Sequence, residues 1–202
     1  ALCIALKRPF VMGAGGQGPR SAFLISGPQG TGRRLGLEEA VRLLHRRRAF
    51  ASGAVIWIDL ALYPTPAQEK LFLQDVYAAL CCDAEVVVFQ NHTECHKGFL
   101  TVVANLITKG ESPLAGRYVL QNGRLIDAGT ALVPDAVASL SARSKYLVLF
   151  TGLAPARLAD SFGAPLLAAL ADVCETHPLS PEALRAIAEV KGKELCEAAQ
   201  KH

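Results

Sequence analysis

The chain has 202 residues, which is the size of one domain or of one domain with an appendage. Its apolar fraction of 51% is sufficient for a sizeable core, and its net charge of +3 is too small to indicate a nucleic-acid partner. No apolar run reaches the about 18 residues that cross a membrane, so we expect neither a nucleic-acid nor a membrane partner.

Short apolar runs alternate with amphipathic blocks along the first half of the chain, which indicates strands alternating with helices. The predicted elements are a strand over 21–26, a helix over 33–48, a strand over 54–60, a helix over 66–80, a strand over 84–89 and a helix over 94–108. Before the first strand, GAGGQG at residues 13–18 predicts a flexible loop or linker. The strand over 54–60 is too continuously apolar to have a solvent-exposed face.

The second half of the chain continues the alternation after a hairpin. Residues 117–129 alternate apolar and polar side chains around Asn122-Gly123, which is a strong hairpin signal. Further elements are a short helix over 135–142, a strand over 145–150, a helix over 165–171 and a strand over 173–176. Ser180 then caps a final helix that has Pro181 at its first position.

Strands that alternate with helices predict an α/β fold, with a mostly parallel sheet of five strands between two layers of helices. The glycine-rich turn between the first strand and the first helix is the feature that points to chemistry. Residues 24–41 read LISGPQGTGRRLGLEEAV, and Gly27 and Gly32 hold the glycine positions of the phosphate-binding pattern G-x-x-x-x-G-K-[ST].

Such a loop binds phosphate through backbone N–H groups, through the positive end of the following helix, and through a lysine and a hydroxyl. In this chain Arg33 and Arg34 replace the lysine and the hydroxyl. Arg33 can still pair with phosphate, although it is not interchangeable with lysine, whereas Arg34 cannot provide the hydroxyl that binds the metal. The candidate nucleotide-binding residues are Gly27, Gly30, Thr31, Gly32, Arg33 and Arg34. From the loop alone, a phosphate site and a turn that binds nothing both remain open.

The order of motifs along almost the whole chain resembles the second ATPase module of the Clp-type AAA+ ATPases, a family of unfoldases and disaggregases. That module has, in order, a GPTGVGKT-like loop, a strand ending in D-x-S-E-Y, a strand ending in D-E, a G-R-L hairpin, a strand ending in T-S-N, and F-R-P-E-F-L-N-R before P-L-S. The corresponding segments here, in the same order, are FLISGPQGTGRR, WIDLALY, VVVFQNHTECH, NGRLIDAG, LVLFTGL, FGAPLLAALAD and PLSPEALRAI. The resemblance implies a P-loop NTPase sandwich of the AAA+ type.

The same resemblance identifies four positions where catalytic groups are replaced. Gln90 and Asn91 stand where the family has an aspartate that holds magnesium and a glutamate that activates water. Leu153 stands at the sensing asparagine, and Ala169 at the arginine that reaches a neighbour's nucleotide. The segment YPTPAQEK shows no substrate-gripping loop. Amides are neither bases nor anionic metal ligands, so we expect no ATP hydrolysis by this domain alone.

The resemblance therefore implies a hydrolysis-deficient module for assembly or regulation, with weak binding of ATP or ADP and no well-held magnesium. Two alternatives remain open. One is a working ATPase with Arg33 or Arg34 on phosphate and an acid from a partner. The other is an interaction module that never binds nucleotide.

The resemblance also divides the chain into a large α/β subdomain over 1–177 and the first helix of a helical lid over 178–202. The chain begins without methionine, in the middle of a pattern, so we expect an excised domain of a longer protein. The expected partners are copies of itself or other AAA+ subunits in a ring-like assembly, and further domains of that longer chain.

Other reactive residues suggest weaker alternatives. The six cysteines show no disulfide-framework spacing, and with no signal peptide they indicate a reduced, cytoplasmic protein. His92, Cys95 and His96 at helical spacing raise the alternative of a zinc site, against a capped helix start. Cys81 and Cys82 are either two small buried side chains or a vicinal redox pair. The basic run over 42–48 is either a solvated helix end or a nucleic-acid patch.

Overall fold

The computed structural model describes residues 2–13, 18–129 and 136–199. Its helices are α1 (Leu2–Met12), α2 (Arg33–Arg46), α3 (Glu69–Cys81), α4 (Lys97–Lys109), α5 (Leu158–Phe162), α6 (Ala164–Ala169) and α7 (Pro181–Ala199). Its strands are β1 (Ser21–Ser26), β2 (Val55–Asp59), β3 (Val86–Gln90), β4 (Glu111–Gln121), β5 (Arg124–Asp127), β6 (Val137–Ser141), β7 (Tyr146–Thr151) and β8 (Asp172–Glu175). Short 3-10 turns occupy Leu60–Leu62, Pro66–Gln68, His92–Glu94 and Pro155–Arg157.

Five strands form one sheet in the order β2-β3-β7-β1-β8, and every neighbouring pair is parallel. The five-stranded parallel sheet expected from the sequence is therefore confirmed. All six residues of β1 are buried, which agrees with its continuously apolar sequence and its position inside the sheet.

Helices cover both faces of this sheet. Successive residues of a strand point to opposite faces, and β1 shows this directly. Phe23 and Ile25 belong to the core beneath α1 and α2, whereas Ala22 and Leu24 belong to the core beneath α3, α4, α5 and α6. The α/β layering predicted from the sequence is thus present.

The predicted hairpin is confirmed and belongs to a second, antiparallel sheet in the order β5-β4-β6. Asn122 and Gly123 both have positive φ values, 50° and 75°, as a tight two-residue hairpin turn requires.

The helix predicted over 135–142 is wrong, because residues 137–141 form strand β6; residue 135 lies outside the described part of the chain. Leu140 is buried and pairs with Ser112 of β4, while Ser139 and Ser141 alternate with it. Pairing with the long strand β4 overrides the helical preference of the local alanine and leucine.

One further helical prediction changes in detail. The helix predicted over 94–108 begins at Lys97, because His96 is its N-cap and the preceding turn is a separate 3-10 element.

The loop GAGGQG was predicted as flexible, and its residues 14–17 lie outside the described part of the chain. The helices α1 and α5 were not predicted; they contain only 11 and 5 residues, and α1 has Pro9 in its interior.

The last helix has the predicted start, because the backbone N–H of Ala183 donates to Ser180 Oγ over 3.2 Å. None of the described residues of this helix is buried. Within the described ranges, none of the helices has both the length and the apolar character that crossing a bilayer requires.

Candidate functional site

The carboxyl ends of β1, β3 and β7 open onto a crevice at the carboxyl end of the parallel sheet. β1 continues into α2 on one face, whereas β3 and β7 continue into helices on the other face. Ligands of open α/β sheets bind where neighbouring strands diverge in this way. The crevice has a volume of about 400 Å³ and is lined by Gln29, Arg33, residues 90–93 and residues 150–153. We call it the strand-end crevice.

The glycine-rich loop forms one wall of this region. Gly27, Gly30 and Gly32 have φ values of 129°, 78° and 74°, which side-chain-bearing residues rarely adopt. A Cβ at Gly30 or Gly32 would meet no atom within 4 Å, so the space beside the loop is open. The backbone N–H groups of residues 30–35 have no acceptor in the described part of the chain. The arrangement therefore has the donors that an anion needs.

The loop is fastened to the end of β8. The Oγ1 atoms of Thr31 and Thr176 lie 3.0 Å apart, and Thr31 Oγ1 also donates to the carbonyl of Pro28 over 2.9 Å. The backbone N–H of Thr176 donates to the carbonyl of Ser26 over 2.9 Å, and the single proton of Thr176 Oγ1 can go either to that carbonyl, 3.1 Å away, or to Thr31 Oγ1. The hydroxyl of Thr31 thus holds the shape of the loop.

Arg33 points into the strand-end crevice. Its Nη1 donates to the backbone carbonyl of Thr151, and its Cζ lies 4.4 Å from the centre of the Phe150 ring. Burial lowers the pKa of Arg33 from its ordinary value. The guanidinium of Arg33 is therefore already engaged by an aromatic ring and a carbonyl of the protein.

Arg34 is held in a similar way on the neighbouring ring. Its Nε donates to Glu38 Oε1 over 3.0 Å, and its Cζ lies 4.4 Å from the centre of the Trp57 ring. The rings of Trp57 and Phe150 meet edge to face, with centroids 5.2 Å apart. The two arginines therefore lie on one aromatic pair, which is formed by Trp57 in the middle of β2 and Phe150 near the end of β7.

The amides that replace the expected acids lie at the end of β3. Gln90 and Asn91 both line the strand-end crevice, and Asn91 has a left-handed backbone with φ of 57°. Asn91 Nδ2 donates to Asp59 Oδ1 over 2.9 Å, and the same oxygen accepts the N–H of Ala61 over 3.1 Å. One carboxylate, that of Asp59, therefore contacts the replaced position and is already hydrogen-bonded there.

His92 is buried beside the crevice, with 3% of its surface exposed. Its ring lies 5.4 Å from that of Phe162, its Nε2 has no hydrogen-bond partner among the described residues, and burial lowers its pKa. His96 instead caps α4, where its Nδ1 accepts the N–H of Gly98. The two histidines do not share a helix, and no group of three potential metal ligands occurs within the described ranges.

The other two positions that the resemblance singles out lie apart from each other. Leu153 follows β7, lines the strand-end crevice and is 40% exposed. Ala169 ends α6 and lies beside Ser21 and Ala22 at the opposite end of β1. The structure thus brings together the loop, Gln90, Asn91 and Leu153, and it separates Ala169 from them.

The donor set of the crevice is suited to an anion and poorly suited to a divalent cation. Backbone N–H groups and two guanidinium groups lie around the loop, where Glu38 is the one carboxylate among the lining residues, and the strand-end crevice has none. A magnesium ion in a phosphate site takes carboxylate or hydroxyl oxygens, which residues 34, 90 and 91 do not provide. A phosphate group fits these residues, whereas its usual metal does not.

Sequence reasoning missed three residues of this region, namely Trp57, Phe150 and Thr176. Trp57 and Phe150 hold the two arginines, and Thr176 holds the loop. A partial signal was present for Phe150, because a side chain near the carboxyl end of a parallel strand lies at the end of the sheet where the loop is. Trp57 lies in the middle of β2, and its contact with Phe150 depends on strand order. Nothing in the local sequence marks Thr176.

Comparison with protein-family models finds no family that matches this chain, and comparison with curated proteins finds no significant match.

Proposed function

We propose that the chain is a degenerate module of the Clp-type AAA+ ATPases that keeps a phosphate-binding loop, does not hydrolyse ATP, and serves assembly or regulation in a larger protein. The observation that carries the proposal is the pair Gln90 and Asn91 at the carboxyl end of β3, which line the strand-end crevice together with Arg33. An amide at these positions neither activates water nor binds a metal as an anion.

The state of the two arginines determines which donors remain for a phosphate group. In a working phosphate loop, a cation at position 33 reaches the outer phosphates. Here Arg33 is engaged by Thr151 and Phe150, and Arg34 by Glu38 and Trp57. The backbone N–H groups of residues 30–35 remain as the donors for a phosphate group. Nucleotide binding should therefore depend on the loop backbone and not on magnesium.

Thermal unfolding with ADP and with ATP, each in magnesium and in EDTA, tests this proposal. A ligand at 100 times its dissociation constant stabilises a protein by about 2.7 kcal/mol, so even weak binding is measurable at millimolar nucleotide. We expect equal stabilisation by ADP in magnesium and in EDTA, and no release of phosphate from ATP above a protein-free blank.

A matched pair of variants separates loop binding from a general effect. Gly32→Val places a side chain in the open space beside the loop and should abolish the stabilisation by ADP. Gly36→Val, one turn later in α2, has equally open surroundings and should retain it. Magnesium-dependent turnover that is lost in Arg33→Ala or Asp59→Asn would instead establish a working ATPase.

A second candidate is an interaction module that never binds nucleotide. The observation in its favour is that both guanidinium groups already have partners within the protein. Absence of any thermal shift with ADP or ATP at millimolar concentration would select it over the first proposal.

The role in assembly has a separate test. Sedimentation velocity of the chain, with and without ADP, measures self-association directly. Concentration-dependent oligomers support packing against like subunits, and a monomer under both conditions contradicts a homomeric ring.

A further inference from the structure

The strand β2 forms an open edge of the parallel sheet. It pairs with β3 on one side only, and the backbone groups of residues 55–58 that face outward have no hydrogen-bond partner among the described residues. Unpaired N–H and C=O groups along an edge are a template for another strand.

The two edges of the sheet differ in how they are protected. The opposite edge, β8, has four residues and carries an acid at each end, Asp172 and Glu175. Short length and charge are devices that prevent strand addition. β2 reads VIWID, so its first four residues have no charge and no proline. Its burial also departs from the sequence expectation, because Val55, Ile56 and Trp57 are only half-buried.

A groove of about 400 Å³ follows this unprotected edge. Four consecutive strand residues, 56–59, line it, so it extends along the edge of the strand and not over one face. The wall is formed by Asp75, Ala78, Ala79 and Cys82, which lie on one side of α3 and at its end. We call this region the β2 groove. It combines free main-chain groups with an adjacent, largely apolar wall.

Two carboxylates give the β2 groove its charge. Asp75 Oδ2 accepts the hydroxyl of Tyr63 over 2.5 Å, and Asp59 accepts the amide of Asn91. Burial, together with Asp75 and Asp59, raises the pKa of Tyr63, which agrees with both carboxylates lying near that hydroxyl. No lysine or arginine of the described residues forms an ion pair with either one. Such a groove is complementary to a basic side chain.

We propose that the β2 groove binds an extended segment of a partner protein that carries lysine or arginine, by adding a strand to the sheet. Main-chain hydrogen bonds to β2 would supply affinity, and the apolar wall with Asp59 and Asp75 would select the side chains. A second copy of this edge does not fit, because VIWID contains no cation and would bring further carboxylates. The proposal depends on β2 and α3, and it is independent of nucleotide binding.

Binding of a capped synthetic peptide tests the proposal. The probe is a short segment of alternating threonine and valine with a lysine at each end, labelled for fluorescence anisotropy. Trp57, the single tryptophan of the chain, lines the groove and provides an unlabelled second readout. We expect saturable binding, at least about tenfold weaker when glutamate replaces both lysines, and at least about tenfold weaker when alternate peptide nitrogens are methylated.

Variants of the chain localise the binding. Ala78 is exposed and lines the β2 groove, so the longer side chain of Ala78→Gln narrows the groove and should weaken binding about tenfold. The control Ala186→Gln, on the exposed helix α7, should leave binding unchanged. Asp75→Asn keeps an acceptor for Tyr63 and should weaken the lysine peptide more than a peptide with threonine ends. Equal unfolding temperatures of the variants and the parent exclude misfolding as the cause.

Three results would overturn the proposal. They are absence of binding at millimolar peptide, equal binding of the N-methylated peptide, and equal binding by Ala78→Gln. The first two results would exclude binding by strand addition, and the third would exclude the β2 groove as the binding site. None of them bears on the stabilisation by ADP, because its test with Gly32→Val concerns the loop between β1 and α2.

Discussion

Gly27 has a different role from the other two glycines of the loop. A Cβ at Gly27 would lie 2.3 Å from both the carbonyl oxygen and Oγ1 of Thr176, whereas Gly30 and Gly32 face open space. Gly27 therefore permits the close approach of β1 to the segment after β8. The other two permit only the turn itself.

We predict that Gly27→Ala lowers the free energy of unfolding by about 2–3 kcal/mol, because it adds a backbone clash to an unfavourable φ of 129°. Urea denaturation measures this change. The control is Gly36→Ala in α2, which has no such contact and should raise the free energy of unfolding by about 0.5–1 kcal/mol. Equal effects of the two substitutions would contradict the distinct role of Gly27.

Arg33 shows why a replacement in a binding motif has to be judged by its contacts. The sequence leaves open whether this arginine substitutes for lysine on phosphate. In the folded chain it donates to the carbonyl of Thr151, 118 residues away, and stacks on Phe150. No reasoning from the local motif reaches those partners, because they are provided by another strand of the sheet.

At the scale of elements, Lys145 joins the start of β7 to the loop before β3. Its side chain is buried, and its Nζ donates to the carbonyls of Cys82 and Ala84 over 2.5 and 2.6 Å. It thus satisfies two backbone acceptors that α3 and β3 leave free between them.

We predict that Lys145→Met lowers the free energy of unfolding by about 2 kcal/mol, since buried carbonyls that lose their donor are costly. Thermal and urea denaturation provide the measurement. Lys97→Met, at the exposed first position of α4, is the matched control and should change stability by less than about 0.5 kcal/mol. A similar small change in both variants would show that Lys145 is not needed to satisfy these carbonyls.

The elements that sequence reasoning predicted correctly are those whose pattern depends on burial alone. The apolar runs of β1, β3 and β7 are continuous because these strands are covered on both faces, and the Asn122-Gly123 turn follows from backbone geometry. β6 was missed because its strand character depends on pairing with β4 and not on its own residues. The candidate loop was located correctly, whereas the aromatic pair that holds its arginines depends on strand order.

At the scale of the whole molecule, α7 differs from every other long helix. It has 19 residues, and none of its described residues is buried. Its apolar side chains Leu184, Ile187 and Leu195 are 53%, 47% and 71% exposed. The body of the fold, from β1 to β8, is therefore complete without it.

We predict that a chain ending at Ser180 unfolds with a free energy within about 0.5 kcal/mol of the parent chain, because no core contact is removed. Urea denaturation followed by Trp57 fluorescence reports the body, and far-ultraviolet circular dichroism reports the lost helix. A loss of more than about 2 kcal/mol would mean that α7 packs against the body in solution.

The position of β1 has a consequence for how the chain reaches its fold. β1 precedes the other strands of its sheet along the chain, yet its two neighbours come much later, with Ser21 paired to Tyr146 and Phe23 paired to Asp172. Contacts between residues so distant in sequence slow folding, because a long loop has to close before they form. During synthesis, the apolar residues 22–25 of β1 therefore lack their strand partners until β7 and β8 have emerged, and such unpaired apolar segments are prone to aggregation.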